Sequence, residues 1–235
     1  MQTIYKSQTI TYAQFVKLFD HTLIKPTLTE SEIIADLQKS REYGVASVHV
    51  QPAYISLAAK ILEGSGVLPA IPLGFPHGGH TTQTKLFEAR NALDNGAREI
   101  DMVINLIKLH SHEDAYVRDE VQAVVELGHK AGIIVKGIIC LGYLNKEEML
   151  RASQLVAQAG ADFVKTSTGF DPVGPTPEDI KLIWESVGPA VQVKAAQGVH
   201  SLDIALALID AGASRLGGAS ATFKILDEFK KTIIR

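Results

Sequence analysis

Apolar runs of five to seven residues alternate along this chain with longer amphipathic stretches, and eight such runs occur. The strand-like runs are FDHTLI (19–24), ASVHV (46–50), VLPAIPL (67–73), EIDMVI (99–104), IIVKGII (133–139), DFVKT (162–166), AVQVKA (190–195) and SRLGG (214–218). Helical patterns lie between them, such as SEIIADLQKSREY (31–43), TTQTKLFEARNALDN (81–95) and HEDAYVRDEVQAVVELGHKA (112–131). In the second of these, Leu86, Ala89 and Leu93 mark an apolar face, and Phe87, Arg90 and Asp94 an opposite one.

The punctuation agrees with this parse. A glycine separates helix from strand in REYGVAS, DNGAREI, HKAGIIV, QAGADFV and DAGASRL, where a left-handed residue ends the helix and releases the chain. TLTESE and TPED carry N-cap and first-turn acidic signals for the helices that follow. Eight strand–helix units of roughly 25–35 residues predict a (β/α)8 TIM barrel. A doubly wound open sheet would call for a glycine-rich turn of the GxGxxG or GxxxxGK[ST] kind, and the sequence has neither. A short N-terminal helix, TYAQFVKLF (11–19), is expected below the first strand. No linker or composition break interrupts the chain, so one domain over 1–235 is expected.

Bulk properties narrow the function. The chain has 235 residues, 46% of them hydrophobic, which is ample for a large core. A net charge of −3 without any basic run excludes a polyanion-binding surface, and with it nucleic acid. Cys140 is the single cysteine, so no intramolecular disulfide forms, which suits a reducing compartment. MQTIYKSQTI lacks the apolar core of a signal peptide, and no run approaches the ~18 residues of a membrane helix. These features predict a cytoplasmic protein with no membrane partner.

Ionisable residues inside the strand runs are the candidates for chemistry, which in a barrel belongs at the C-terminal strand ends. Asp20 lies on the first strand, Asp101 on the fourth, and Lys136, Lys165 and Lys194 on the fifth to seventh. The lysines are spaced by 29 residues, one strand–helix unit, which predicts equivalent positions on three adjacent strands. A lone strand lysine snorkels to water. Three in register beside an aspartate point to a functional cluster. At a reference pKa of ~10.4 only about 0.04% of a lysine is the neutral amine at pH 7. Burial and a neighbouring ammonium both lower that pKa, giving a nucleophile for carbinolamine and imine chemistry, with an aspartate to move protons. Composition leaves open which lysine attacks. His21, His49 and His77, spaced by 28 with His80 close behind, offer a competing reading as a divalent-metal site. No HExxH-like signature supports it.

Four segments, DHTLIKP (20–26), FPHGG (75–79) with TKLFEA (84–89), EIDMVIN (99–105) and ADFVKTSTGF (161–170), resemble the deoxyribose-phosphate aldolase family. The resemblance runs in order from about Asp20 to Ser220, and KTSTGF is its most specific part. It implies a TIM barrel and a class I aldolase needing neither metal nor cofactor. Such an enzyme interconverts 2-deoxy-D-ribose 5-phosphate with acetaldehyde and D-glyceraldehyde 3-phosphate, a step of deoxynucleoside catabolism. It further implies Lys165 as the Schiff-base lysine, Lys194 as the lysine that perturbs it, Asp101 as proton relay and Asp20 as a support of that network. Substrate contacts are expected from Thr22, Thr166, Ser167, Thr168 and Gly169, and from Gln197, Gly198, Gly217, Gly218 and Ser220 around the phosphate. Partners are thus small aldehydes and sugar phosphates, with a homo-oligomer compatible.

The sequence departs from the family pattern at the barrel mouth. AAQG has Gln197 where the first of two glycines is expected, and GGAS has Ala219 in place of a serine. Cys140 stands where an acidic residue is usual, which predicts that Lys136 lacks its customary partner. His49 and Gln51 replace the usual cysteine and asparagine. These changes open the alternatives of an acceptor without phosphate and, from another class, a non-catalytic sugar-phosphate sensor.

Overall fold

Buried parallel strands read as nearly continuous apolar runs because helices cover their outer face and side chains fill their inner one. The computed structural model, which describes residues 5–233, has this arrangement. Residues 1–4 of the MQTIYKSQTI segment and residues 234–235 lie outside the described part. Strands β1 (Phe19–Leu23), β2 (Ser47–Val50), β3 (Leu68–Leu73), β4 (Glu99–Val103), β5 (Ile134–Ile138), β6 (Phe163–Lys165), β7 (Gln192–Ala196) and β8 (Arg215–Gly217) close in sequence order into a parallel barrel.

Helices α1 (Tyr12–Val16), α2 (Glu30–Tyr43), α3 (Ile55–Leu62), α4 (Thr82–Asp94), α5 (Leu106–His110), α6 (Asp114–Lys130), α7 (Lys146–Gln158), α8 (Pro177–Val187), α9 (Leu202–Asp210) and α10 (Thr222–Ile233) lie outside the strands. The expected short N-terminal helix is α1, stopping at Val16 so that Phe19 can open β1. Its Phe15 packs on Phe229 of α10, ring centroids 4.0 Å apart. The expected helix over 112–131 is α6, and α5 before it was not foreseen. Among the described residues no helix is long and apolar enough to cross a membrane.

The helix ends follow the sequence signals. Thr29 with Glu32, and Thr176 with Asp179, form reciprocal capping boxes, each cap worth about 1 kcal/mol. Gly44, Gly96, Gly132, Gly160 and Gly212 all have positive φ. The core sits mainly between the barrel wall and the helices: Ile100 and Met102 on β4, Val121 and Val124 on α6 and Val156 on α7 are fully buried. Each such side chain contributes about 1.5–3 kcal/mol relative to exposure. Where helix and strand approach closest, small residues are required. A Cβ on Gly137 of β5 would come within 2.5 Å of Val156 on α7.

One face differs from the expected pattern. On α4 the fully buried positions are Lys85, Ala89 and Ala92, with Leu86 and Leu93 only partly buried and Phe87 exposed. Lys85 is tolerated because its Nζ donates to the Val103 carbonyl (2.8 Å) and lies 2.9 Å from Glu120 Oε1 on α6. That same carboxylate oxygen accepts the Asn105 N–H at 2.8 Å. The pair staples α4 and α6 to the outgoing end of β4.

Candidate active site

Every second residue of a barrel strand points inward. On β4 that phase brings in Glu99 and Asp101, on β5 Lys136, on β6 Lys165, on β7 Lys194, on β8 Arg215 and on β1 Asp20. Their charged groups meet in one buried network. Asp101 Oδ2 accepts from Lys165 (2.9 Å) and Lys194 (2.7 Å), and its Oδ1 accepts from Lys136 (2.8 Å). Lys194 Nζ also lies 2.6 Å from Asp20 Oδ2. Lys136 donates to Glu99 Oε2 at 2.6 Å, and Arg215 bridges Asp20 and Glu99.

The three lysines are not equivalent. Lys165 and Lys194 are register partners, but Lys136 pairs in register with Phe163, two residues before Lys165. The stagger that closes a barrel therefore drops Lys136 one inward layer below the other two. The expectation that it lacks a partner is also corrected. Glu99 and Asp101 satisfy it at its own depth, whereas Cys140 lies beyond the end of β5 in a left-handed conformation. Cys140 is fully buried, and burial pushes its thiol pKa up, so it behaves as an inert packing residue.

Electrostatics separate the lysines further. Burial alone would raise the Asp101 carboxyl, but the buried imidazole of His49 and the three surrounding ammoniums hold it well below the usual range. Asp20 is held low in the same way, against its own burial, by Arg215, Lys194 and Lys136. The carboxylates around Lys136 outweigh its desolvation and raise its pKa. Lys165 goes the other way, to about 8: burial and the Lys194 charge outweigh the pull of Asp101. About one Lys165 side chain in ten is then a free amine at pH 7. The resulting ring holds three carboxylates and four cationic side chains, which balance when Lys165 is neutral.

Lys165 and Lys194 reach a cavity of about 290 Å³ at the C-terminal end of the barrel. Of the residues expected to contact substrate, Thr22, Thr168, Gly169, Gln197, Gly198, Gly217, Gly218 and Ser220 line it; Thr166 and Ser167 do not. Thr166 follows Lys165 and so faces the other way, its hydroxyl bridging the Ala196 N–H (3.0 Å) and carbonyl (3.1 Å). Ser167 is fully buried, with its Oγ unpartnered. Asp20 and Asp101 lie beneath the cavity rather than on its wall.

The rim is built around Asp171, which the sequence reading missed although TGFDP carries a turn signal. Its carboxylate accepts from the Thr168 N–H (3.0 Å) and hydroxyl, and its carbonyl accepts from Gln197 Nε2 at 2.9 Å. Gln197 has φ of 74°, the left-handed region in which a glycine is expected. Its side-chain NH2 is therefore engaged at the rim, while its Oε1 is buried without a partner. His200, at the outer edge of the lining, was also missed.

The histidine triad does not assemble. His21 follows inward Asp20, so it faces outward, 3.4 Å from Asp36 and stacked near Phe223. His77 and His80 are exposed on the loop after β3. Only His49 enters the site, its Nε2 2.8 Å from Asp101 Oδ2. Donor atoms of Asp20, His49 and Asp101 lie within 4.8 Å of one another, a spacing a metal could use. Those carboxylates already face Lys136, Lys165, Lys194 and Arg215, and a dication there would meet four positive charges at short range. The donor set fits ammonium groups better than a metal.

Residues 15–226 match the family described as DeoC/LacD family aldolase. A deoxyribose-phosphate aldolase of Thermoanaerobacter sp. (strain X514) is 46% identical over 216 residues, covering 92% of this chain and 96% of that protein. One from Clostridium novyi (strain NT) is 47% identical over 205 residues, covering 87% and 92%. Among solved structures, a tetrameric deoxyribose phosphate aldolase from Aeropyrum pernix superposes with a TM-score of 0.86 at 30% identity, covering 94% of this chain and 93% of its own.

Proposed function

The chain belongs to the DeoC/LacD aldolase family, and on that premise we propose that it is a deoxyribose-phosphate aldolase working through an imine on Lys165. The observation that carries the reading is Lys165 Nζ at the cavity, sharing one oxygen of Asp101 with Lys194. The enzyme cleaves 2-deoxy-D-ribose 5-phosphate reversibly to D-glyceraldehyde 3-phosphate and acetaldehyde.

In the open-chain substrate, the neutral Lys165 amine attacks the C1 aldehyde and a C–N bond forms. The carbonyl oxygen takes up protons through Lys194 and Asp101 and leaves as water, giving a cationic iminium. Removal of the C3 hydroxyl proton then breaks the C2–C3 bond. The C3 oxygen becomes the aldehyde of glyceraldehyde 3-phosphate, and the bonding pair moves through C2 into the iminium to give an enamine. Reprotonation at C2 and hydrolysis release acetaldehyde and the free amine. Asp101, paired with Lys194 and Lys136, moves these protons from beneath the cavity, and Asp20 with Arg215 holds Lys194 in place.

The phosphate is held at the opposite wall by the backbone N–H groups of Gly198, Gly217 and Gly218 with the Ser220 hydroxyl. Thr22, Thr168 and Gly169 meet the sugar oxygens; Thr166 and Ser167 support the nucleophile strand. No metal or cofactor takes part. The whole chain acts as one barrel domain in the cytoplasm, and the tetrameric A. pernix relative supports a homo-oligomer.

Borohydride reduction in the presence of acetaldehyde tests the reading: a two-carbon adduct is expected on Lys165. No adduct, or one that survives Lys165→Ala, overturns it. A second reading, an acceptor without phosphate, is favoured by Ala219 and by a phosphate wall whose one ionisable side chain is His200. Comparing kcat/KM for deoxyribose 5-phosphate and deoxyribose decides between them. A sensor reading ends with any measurable retro-aldol turnover.

A further inference from the structure

His49 has no part in the chemistry above, yet it is 1% exposed and its Nε2 lies 2.8 Å from the oxygen that Lys165 and Lys194 share. Three nitrogens thus crowd Asp101 Oδ2, at 2.9, 2.7 and 2.8 Å. A carboxylate oxygen has two in-plane lone pairs. The lysines hold aligned hydrogen bonds to it, and the imidazole approaches without one. A bare ring nitrogen would be repelled by a carboxylate at this distance, so Nε2 carries the proton. Nδ1 is buried and has no partner, which suits a lone pair far better than an unsatisfied N–H. Burial keeps the ring neutral at physiological pH. His49 is therefore a neutral donor waiting beside an occupied acceptor.

We propose that His49 is a positioning residue for the amine chemistry, taking up the Asp101 oxygen that Lys165 releases when its nitrogen becomes an imine. The inference rests on the imine reading above. An iminium nitrogen has one N–H where the ammonium had three, and that N–H lies in the plane of the new double bond. Asp101 Oδ2 consequently loses the Lys165 hydrogen bond during turnover. The His49 N–H is already at contact distance, and a small ring rotation aligns it. Asp101 then stays beneath the intermediate instead of collapsing onto Lys194. In the resting enzyme the same donor shares the charge that Asp101 would otherwise direct at the Lys165 ammonium. The charged groups facing His49 are Asp20 on β1, Asp101 on β4, Lys136 on β5, Lys165 on β6 and Lys194 on β7. Its β3 neighbours Ala70 and Pro72 carry no charge.

The test compares wild type with His49→Phe and His49→Met, which lack a donor, and His49→Gln, whose amide replaces it. Steady-state kinetics and acetaldehyde–borohydride trapping are run across pH 5.5–9.5 (roughly the titration span of Lys165). In the donor-less variants kcat is expected to fall about 10–100-fold with KM changed less than about threefold. The acidic limb of trapping is expected to move about one pH unit upward, because Asp101 now favours the ammonium more strongly. His49→Gln should recover most of both. If Phe fails to fold, Met carries the comparison. Wild-type kinetics in a folded donor-less variant overturn the proposal, as does equal impairment of Gln with Phe and Met, which marks a packing role. A wild-type enzyme that traps no adduct sinks the imine reading itself, whereas normal trapping in all variants sinks only the His49 inference.

Discussion

Lys165 and Lys194 face each other across β6 and β7 and donate to one and the same oxygen of Asp101. Sharing a single acceptor places two ammonium-bearing side chains closer than their charges favour. The more exposed of them, at the cavity, is Lys165, and burial together with the Lys194 charge loosens its proton. A lysine is thus made reactive first by its burial and then by the charge beside it.

The first consequence concerns pH. Lys165 sits near 8 through burial, then through Lys194, both working against Asp101. Lys194→Met removes the like charge and raises the Lys165 pKa. The acidic limb of the kcat/KM profile should shift to higher pH, and activity at pH 7 should fall about tenfold or more. An unshifted limb would show that Lys194 does not set the amine.

Ala219 lines the cavity beside Gly217, Gly218 and Ser220, on the wall we propose for the phosphate. Ala219→Ser adds a donor worth about 0.5–1.5 kcal/mol. KM for deoxyribose 5-phosphate should drop about 2–10-fold while KM for deoxyribose stays the same. Equal effects on both sugars would place the phosphate elsewhere.

Lys136 is fully buried between Glu99 and Asp101. Lys136→Met removes one positive charge from the ring and leaves Glu99 Oε2 and Asp101 Oδ1 buried without their donor, a loss of about 3–5 kcal/mol. Urea unfolding should show the midpoint falling with little change in slope.

The neutral state of His49 makes stability depend on acid. In the unfolded chain the ring takes a proton near 6.5, in the folded protein only near 4. Between those values the unfolded state binds the extra proton, so stability rises with pH through the window and is lost as pH falls from 6.5 toward 4. The contribution is on the order of 3 kcal/mol. His49→Gln should flatten that part of the stability–pH curve, read by urea unfolding at pH 7 and 5.

Lys85 and Glu120 form a second buried pair, away from the cavity. Burial lowers the lysine and raises the glutamate, so desolvation pushes both toward neutrality. Lys85→Met and Glu120→Leu should each cost about 3–5 kcal/mol. The double variant should cost clearly less than their sum, and additivity would deny the coupling.

The barrel was legible in the chain because two-sided burial leaves an unmistakable run of apolar residues, and glycines mark each return. Lys165, Lys194 and Asp101 were legible as candidates because charge inside such a run is rare. Depth within the barrel was not. Equal spacing suggested that Lys136 matched the other lysines, but the register of β5 against β6 sets it a layer lower. His21 and His49 show the same limit: a spacing of 28 carries no information about strand phase, and one faces α2 while the other faces the site. Glu99 and Arg215 were missed although both share the inward phase of a recognised neighbour, Glu99 two residues before Asp101 and Arg215 two before Gly217. Lys85 and Glu120 left no trace, since on a helix each reads as an ordinary solvated position until its partner is known.

Of the ring of carboxylates and cations, only Lys165 and Arg215 keep more than a trace of contact with water. Dissolved ions screen charges they can surround, over about 8–10 Å at ordinary ionic strength. Here they are shut out by the barrel wall and by the layer of helices around it. The acid–base poise of the amine is consequently a private property of the protein, largely deaf to the salt content of its surroundings. Capture of a phosphorylated substrate at the open rim enjoys no such isolation. Raising ionic strength should weaken binding while leaving the chemical step where it was.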